Sequence, residues 1–256
     1  MVYLTDNFLS ISEESNMKYV YEAIGTFFLV LTIGMVVIEP GSAGNLAPLA
    51  IGTVLAVMIF AGGHVSGGHY NPAVSLAVYL RGKSTLNDML IYWAVQVVAG
   101  VVAGFIVLYI KGAIADAAGT ALAISAIDVN TRIIPAFLAE FIGTFALTFT
   151  VLNVATARAT ENNSYFGWAI GMAVMAMAYA FGSITGGGFN PAVAFGISVM
   201  GLTTWSGIWL YIVAELAAGA VAAVVFKAAH PVEDKTTAPA PMPSQQRTPP
   251  SKSAKR

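Results

Sequence analysis

Two tripeptides carry the chemistry that this sequence offers, Asn71-Pro72-Ala73 and Asn190-Pro191-Ala192. Asparagine is a good helix N-cap, and proline suits the first helical position because its missing N–H has no intrahelical partner there. Each dipeptide therefore predicts a helix start, over the apolar stretches 72–80 and 191–200. Both stretches are too short to cross a bilayer, which takes about 20 residues. The segments ahead of them, Gly67-Gly68-His69-Tyr70 and Gly186-Gly187-Gly188-Phe189, are poor helix formers. Extended backbone there offers carbonyl acceptors, and the two asparagine amides offer donors. That suits a small polar molecule passing by hydrogen bonds. It is not bond-breaking chemistry, and no catalytic, nucleotide-binding or metal-binding constellation is evident. The absence of cysteine also excludes thiol catalysis, thiolate metal sites and disulfides.

The elements that must position these turns are membrane helices. Of the 256 residues, 57% are hydrophobic and only 10% charged, against about 25% charged in a soluble domain. The charges gather near the ends and in short connectors. Six windows between them are long and apolar enough to span a bilayer: 20–38, 46–63, 89–110, 133–154, 165–184 and 205–226. Their only charges are Glu22, Glu140 and Glu215. A large soluble helical bundle with buried helices is the competing reading, and six such windows in one small chain argue against it. Irregular backbone at membrane depth is tolerated only inside protein or along a watery cavity, so the Gly-rich segments already imply a pore. The net charge of −1 argues against nucleic acid as a partner. Residues 1–17 lack a basic start before an apolar stretch, so no cleavable signal peptide is expected. Residues 230–256, rich in Pro, Ser, Thr and Lys, predict a disordered tail. Basic residues concentrate on the side of the two termini, which predicts that both are cytoplasmic.

The chain is two copies of one unit. Glu22-Ala23-Ile24-Gly25-Thr26-Phe27 matches Glu140-Phe141-Ile142-Gly143-Thr144-Phe145 at an offset of 118. The two Asn-Pro-Ala blocks match at 119, as do Gln96-Val97-Val98-Ala99-Gly100 and Glu215-Leu216-Ala217-Ala218-Gly219. The units are 18–110 and 133–229, joined by a loop over 111–132. Three spans per unit force the second to enter from the opposite side, giving an inverted repeat. The fold expected is thus all-α, with six transmembrane helices plus two re-entrant half-helices that meet head to head near the midplane. Each half-helix N-terminus carries roughly half a positive charge, a barrier to cations and hydronium. Neutral molecules can pass in file.

The segment Gly63-His64-Val65-Ser66-Gly67-Gly68-His69-Tyr70-Asn71-Pro72-Ala73-Val74, the second Asn-Pro-Ala turn, the paired glutamates and the repeat layout resemble the aquaporin, or major intrinsic protein, family over residues 18–229. The resemblance implies a passive channel rather than an enzyme, without cofactor, embedded in the lipid bilayer as a homotetramer with one pore per subunit. It assigns four constriction positions to Ile51, Ala178, Gly187 and Val193, and places His64 on the cytoplasmic side of the pore. Family members normally carry arginine where Val193 stands. The constriction is therefore expected to be apolar and wide, passing water and small uncharged solutes such as glycerol, urea, ammonia or gases.

Glu22 and Glu140 are expected to accept N–H bonds from the irregular segments rather than relay protons. Glu215 stands where members often have proline. A protonated or hydrogen-bonded structural role and a role in the pore both stay open for it. Two other classes fit the layout less well. A proton- or ion-coupled transporter would want a carboxylate at the substrate site, and a mainly structural membrane protein would keep the pore closed. The plain tail fits a microbial plasma membrane.

Overall fold

In the computed structural model, residues 3–231 are described, with side chains from residue 16 onward. The expected tail therefore lies outside the described residues beyond Pro231. Among the described residues eight α-helices form in order: α1 (Tyr3–Val37), α2 (Ala47–Ser66), α3 (Pro72–Leu80), α4 (Leu86–Ala117), α5 (Ile133–Val151), α6 (Phe166–Thr185), α7 (Pro191–Val199) and α8 (Ile208–Ala229). Among the described residues six stretches are long and apolar enough to span a membrane, in α1, α2, α4, α5, α6 and α8. Large apolar side chains cover their outer surfaces, with Tyr109 80% and Ile134 72% exposed. Such a surface is stable only where lipid replaces water.

Three boundaries differ from the sequence reading. α1 begins at Tyr3, well ahead of the first apolar window at residue 20. α4 continues through Ala117 into the expected loop. Lys111 is consequently buried against that helix end, and its Nζ donates to the Pro40 carbonyl at 2.8 Å. α7 ends at Val199, with Met200 as its C-cap.

The two halves repeat the same packing. α1 lies on α2 and α4 as α5 lies on α6 and α8, and the halves join where α2 crosses α6, α3 meets α8 and α4 meets α7. Small residues make these crossings close. A Cβ on Gly52 would fall 2.6 Å from the Gly171 carbonyl, so only glycine lets α2 and α6 touch backbone to backbone. Gly100 and Gly219 do the same for the half-helices: a Cβ on either would sit 2.5 Å from the carbonyl oxygen of Ala192 or Ala73.

Both re-entrant segments open with the same device. α2 ends on Gly67 (φ +90°) and α6 on Gly186 (φ +88°), left-handed residues whose N–H groups bond back to Gly63 and Gly182 at 2.9 Å. The chain then turns inward through Tyr70 (φ 48°) and Phe189 (φ 49°), strained conformations for residues with side chains. Their rings hold them there. Tyr70 lies on Gly25 and Phe189 on Gly143, so closely that a Cβ on either glycine would overlap the ring. The repeated Glu-x-x-Gly thus has a packing cause. A Gly25→Val variant is expected to lose about 1–3 kcal/mol or more through overpacking, read as a lower melting temperature in detergent. An unchanged melt would show that the Tyr70 ring can move aside.

Candidate functional site

The site is the midplane where the two half-helices meet. Asn71 caps α3, its Oδ1 accepting from Ala73 N at 2.8 Å, and Asn190 caps α7 by accepting from Ala192 N at 2.9 Å. Each Nδ2 then crosses the pseudo-twofold axis. Asn71 Nδ2 donates to Phe189 O at 2.9 Å, and Asn190 Nδ2 donates to Tyr70 O at 2.8 Å. One hydrogen of each amide is therefore spent on locking the loops together. The carbonyls of Tyr70 and Phe189 each accept one of these bonds.

Carboxylates behind the loops hold the backbone. Glu22, fully buried on α1, accepts from Ser66 Oγ at 2.7 Å, His69 N at 2.9 Å, Tyr70 N at 2.6 Å and Gln96 Nε2 at 2.8 Å. Glu140, fully buried on α5, accepts from Gly188 N at 3.0 Å and Phe189 N at 2.7 Å. Glu215 on α8 adds Asn190 N at 2.9 Å. A peptide unit that turns its N–H outward turns its C=O the other way, so these bonds aim loop carbonyls at the axis.

Two residue pairs in this scaffold escaped the sequence reading. Ser66 and Thr185 each cap the following turn, bonding Gly68 N and Gly187 N at 3.1 Å. Tyr92 and Tyr211 each donate through the hydroxyl to the carbonyl of that same residue, at 2.6 and 2.5 Å. Both pairs are 119 residues apart, so extending the repeat comparison to single residues would have found them.

A cavity of about 30 Å³ lies between the loops, lined by Asn71, Asn190, Gly68, His69, Gly187 and Gly188, with Tyr70 and Phe189. Aliphatic side chains complete it, from Leu29 on α1 and Ile51 and Leu55 on α2 to Val174 on α6 and Val193 on α7. At roughly 10–15 Å³ per molecule it holds about two waters. No Asp, Glu, Lys or Arg lines it. The structure brings Ile51, Gly187 and Val193 together here. Ala178 is not among the lining residues; it follows Val174 one turn later on α6, and its single methyl is shorter than the wall-forming Ile59 at the matching place on α2. The side chains of Ile51, Leu55 and Val174 give this cavity apolar walls.

On the side of the chain termini the cavity meets a vestibule of about 290 Å³ lined by His64, Ser66, Gly67, His69 and Tyr92. Its rim carries the Lys18–Asp88 ion pair at 2.7 Å, and Asp88 also accepts from Tyr19 Oη at 2.8 Å. Gly186 starts the other loop and is exposed toward the opposite face.

The sequence profile of the Major intrinsic protein family matches residues 12–226. Aquaporin TIP1-1 of Arabidopsis thaliana is 34% identical over 181 residues, 70% of this chain and 68% of its own. Nodulin-26 of Glycine max is 32% identical over 80% of this chain and 74% of its own. The Glycerol uptake facilitator protein-like 6 of Lactiplantibacillus plantarum is 32% identical over 77% and 90%. The aquaglyceroporin of Plasmodium falciparum shares the fold, with a TM-score of 0.65, 21% identity and coverage of 87% of this chain and 96% of that one. With half-helices opposed at the midplane and a matching profile across most of its length, the chain belongs to the major intrinsic protein family, as an integral multi-pass membrane channel for water and small solutes and not an enzyme.

Proposed function

We propose that this channel is a passive pore for small uncharged solutes whose filter, formed by Ile51, Ala178, Gly187 and Val193, is apolar. The observation that carries the reading is Val193, 2% exposed in the wall of a cavity without a charged side chain. An apolar constriction offers a solute little to replace its hydration, so it favours weakly hydrated species such as ammonia and dissolved gases. Glycerol and urea, which are larger, come after them. Water passes at a rate limited by dewetting. The carbonyls of Gly67, Gly68 and His69 on one side, and of Gly186, Gly187 and Gly188 on the other, supply the acceptors along the path, and the second amide hydrogens of Asn71 and Asn190 the donors.

Charge is excluded by the opposed N-termini of α3 and α7, each worth roughly half a positive charge. Hydronium meets the same barrier. Lys18, Arg81, Lys83, Arg158 and Lys227 lie on the terminal face, against Lys111 and Arg132 opposite, which puts that face and both termini in the cytoplasm. The chain works as a homotetramer with one pore per subunit, in the cell membrane of a microbe.

Proteoliposome flux is the test. Stopped-flow traces with ammonia, glycerol, urea and osmotic gradients are expected to show neutral-solute flux above empty vesicles and no ion conductance. Flux that needs a proton or ion gradient would overturn the passive reading, and flux equal to empty vesicles would favour a closed structural protein.

A further inference from the structure

Glu22 and Glu140 hold matching places behind the two pore loops, but their neighbours on the next long helix of each half differ. Glu215 on α8 occupies the position that Gln96 holds on α4. In the first half Gln96 Nε2 donates to Glu22 Oε2 at 2.8 Å. In the second half an acid faces an acid. Glu140 and Glu215 are both fully buried. They close over Gly188, where a Cβ would fall 2.9 Å from Glu215 Oε1 and 3.3 Å from Glu140 Oε2.

Like charges this close in dry surroundings cannot both persist. One of the four oxygens carries a proton, and the contacts say which. Both oxygens of Glu140 already accept from backbone, Oε1 from Gly188 N and Oε2 from Phe189 N. Donors on both oxygens favour the ionised form. Glu215 Oε1 accepts from Asn190 N, whereas its Oε2 is buried without a hydrogen-bond partner. The remaining titratable group beside the pair, Tyr211, spends its hydroxyl hydrogen on Thr185 O and brings no donor.

The geometry points to Glu215 as a neutral acid whose Oε2–H donates to Glu140 while its Oε1 holds the Asn190 amide, which makes it the carboxylic counterpart of Gln96 and a positioning residue for the second Asn-Pro-Ala turn. Each pore loop is then backed by one negative charge, Glu22 in one half and Glu140 in the other. The two half-helix termini keep balanced surroundings despite the extra acid. The arrangement holds whichever solute the pore passes.

Infrared difference spectra of the purified wild-type channel in lipid at neutral pH test it directly. A protonated-carboxyl C=O band is expected, and it disappears in Glu215→Gln. Glu215→Leu, which frees the Asn190 amide and removes the donor to Glu140, is expected to lose permeability roughly tenfold, the effect of one or two orphaned buried groups. Glu215→Gln, able to make both bonds, restores it to within about twofold. A wild-type spectrum without the band overturns the proposal, as does a band that survives Glu215→Gln. So does a Gln variant as impaired as Leu, or a Leu variant as permeable as wild type. If Glu215→Leu does not fold, the wild-type and Gln spectra decide.

Discussion

Replacing Val193 by arginine is expected to cut the flux of ammonia and glycerol by roughly tenfold or more, while leaving ion conductance at zero. Val193 is the third residue of α7, so its side chain leaves the half-helix at its positive end, where it lines the cavity together with Ile51. A guanidinium there adds a full charge to roughly half a charge already present, and reinforces the barrier to cations. It also fills a cavity of only about 30 Å³. For water the sign is different. The fixed donors of arginine give a passing molecule something to bond, so water flux should fall less than solute flux, and the water-to-glycerol ratio should rise. Stopped-flow permeabilities normalised to incorporated protein check both. An arginine at membrane depth costs about 2.5–3.5 kcal/mol on insertion scales, which is why normalisation matters. If every permeability stayed the same, Val193 would not be part of the filter.

Glu22→Ala is expected to remove the folded channel altogether. Four donors converge on this carboxylate: the Ser66 hydroxyl, two backbone amides and the Gln96 amide. Each donor left buried and unpaired costs about 1–3 kcal/mol. Together they rival the ~5–15 kcal/mol that holds a domain together. Glu22→Gln should be intermediate, since its amide accepts through one oxygen but turns N–H groups toward Tyr70 N and Gln96 Nε2. Detergent-stable yield and melting temperature give the readout. A Glu22→Ala protein that is folded and stable but impermeable would point instead to a proton relay.

Much of the site was legible beforehand because its logic is local. Asn-Pro states a helix start in two letters, and the Gly-rich runs before it state where helix cannot be. The offsets of 118 and 119 between the repeats follow from the same backbone path being folded twice. Glu22 and Glu140 could be given their task from pseudo-symmetry alone. The filter was legible only in part. Spacing located Ile51, Gly187 and Val193, and all three meet at the cavity. Width was not legible. Small residues at 178 and 187 suggest an open lumen, but which side chains of α2 and α6 wall it depends on how those helices cross. That crossing is set by the Gly52–Gly171 contact, which joins residues more than a hundred positions apart.

The linear chain alone specifies a six-span inverted repeat with two half-helices and the absence of arginine after the second turn. These are matters of hydropathy, helix capping and identity at a known spacing, none of which needs a neighbour in space. It takes the folded chain to show that the asparagine amides cross-link the facing loops and that Glu215 is buried beside Glu140. Each of those depends on which atoms from distant segments share one small volume, and a linear pattern does not carry that information.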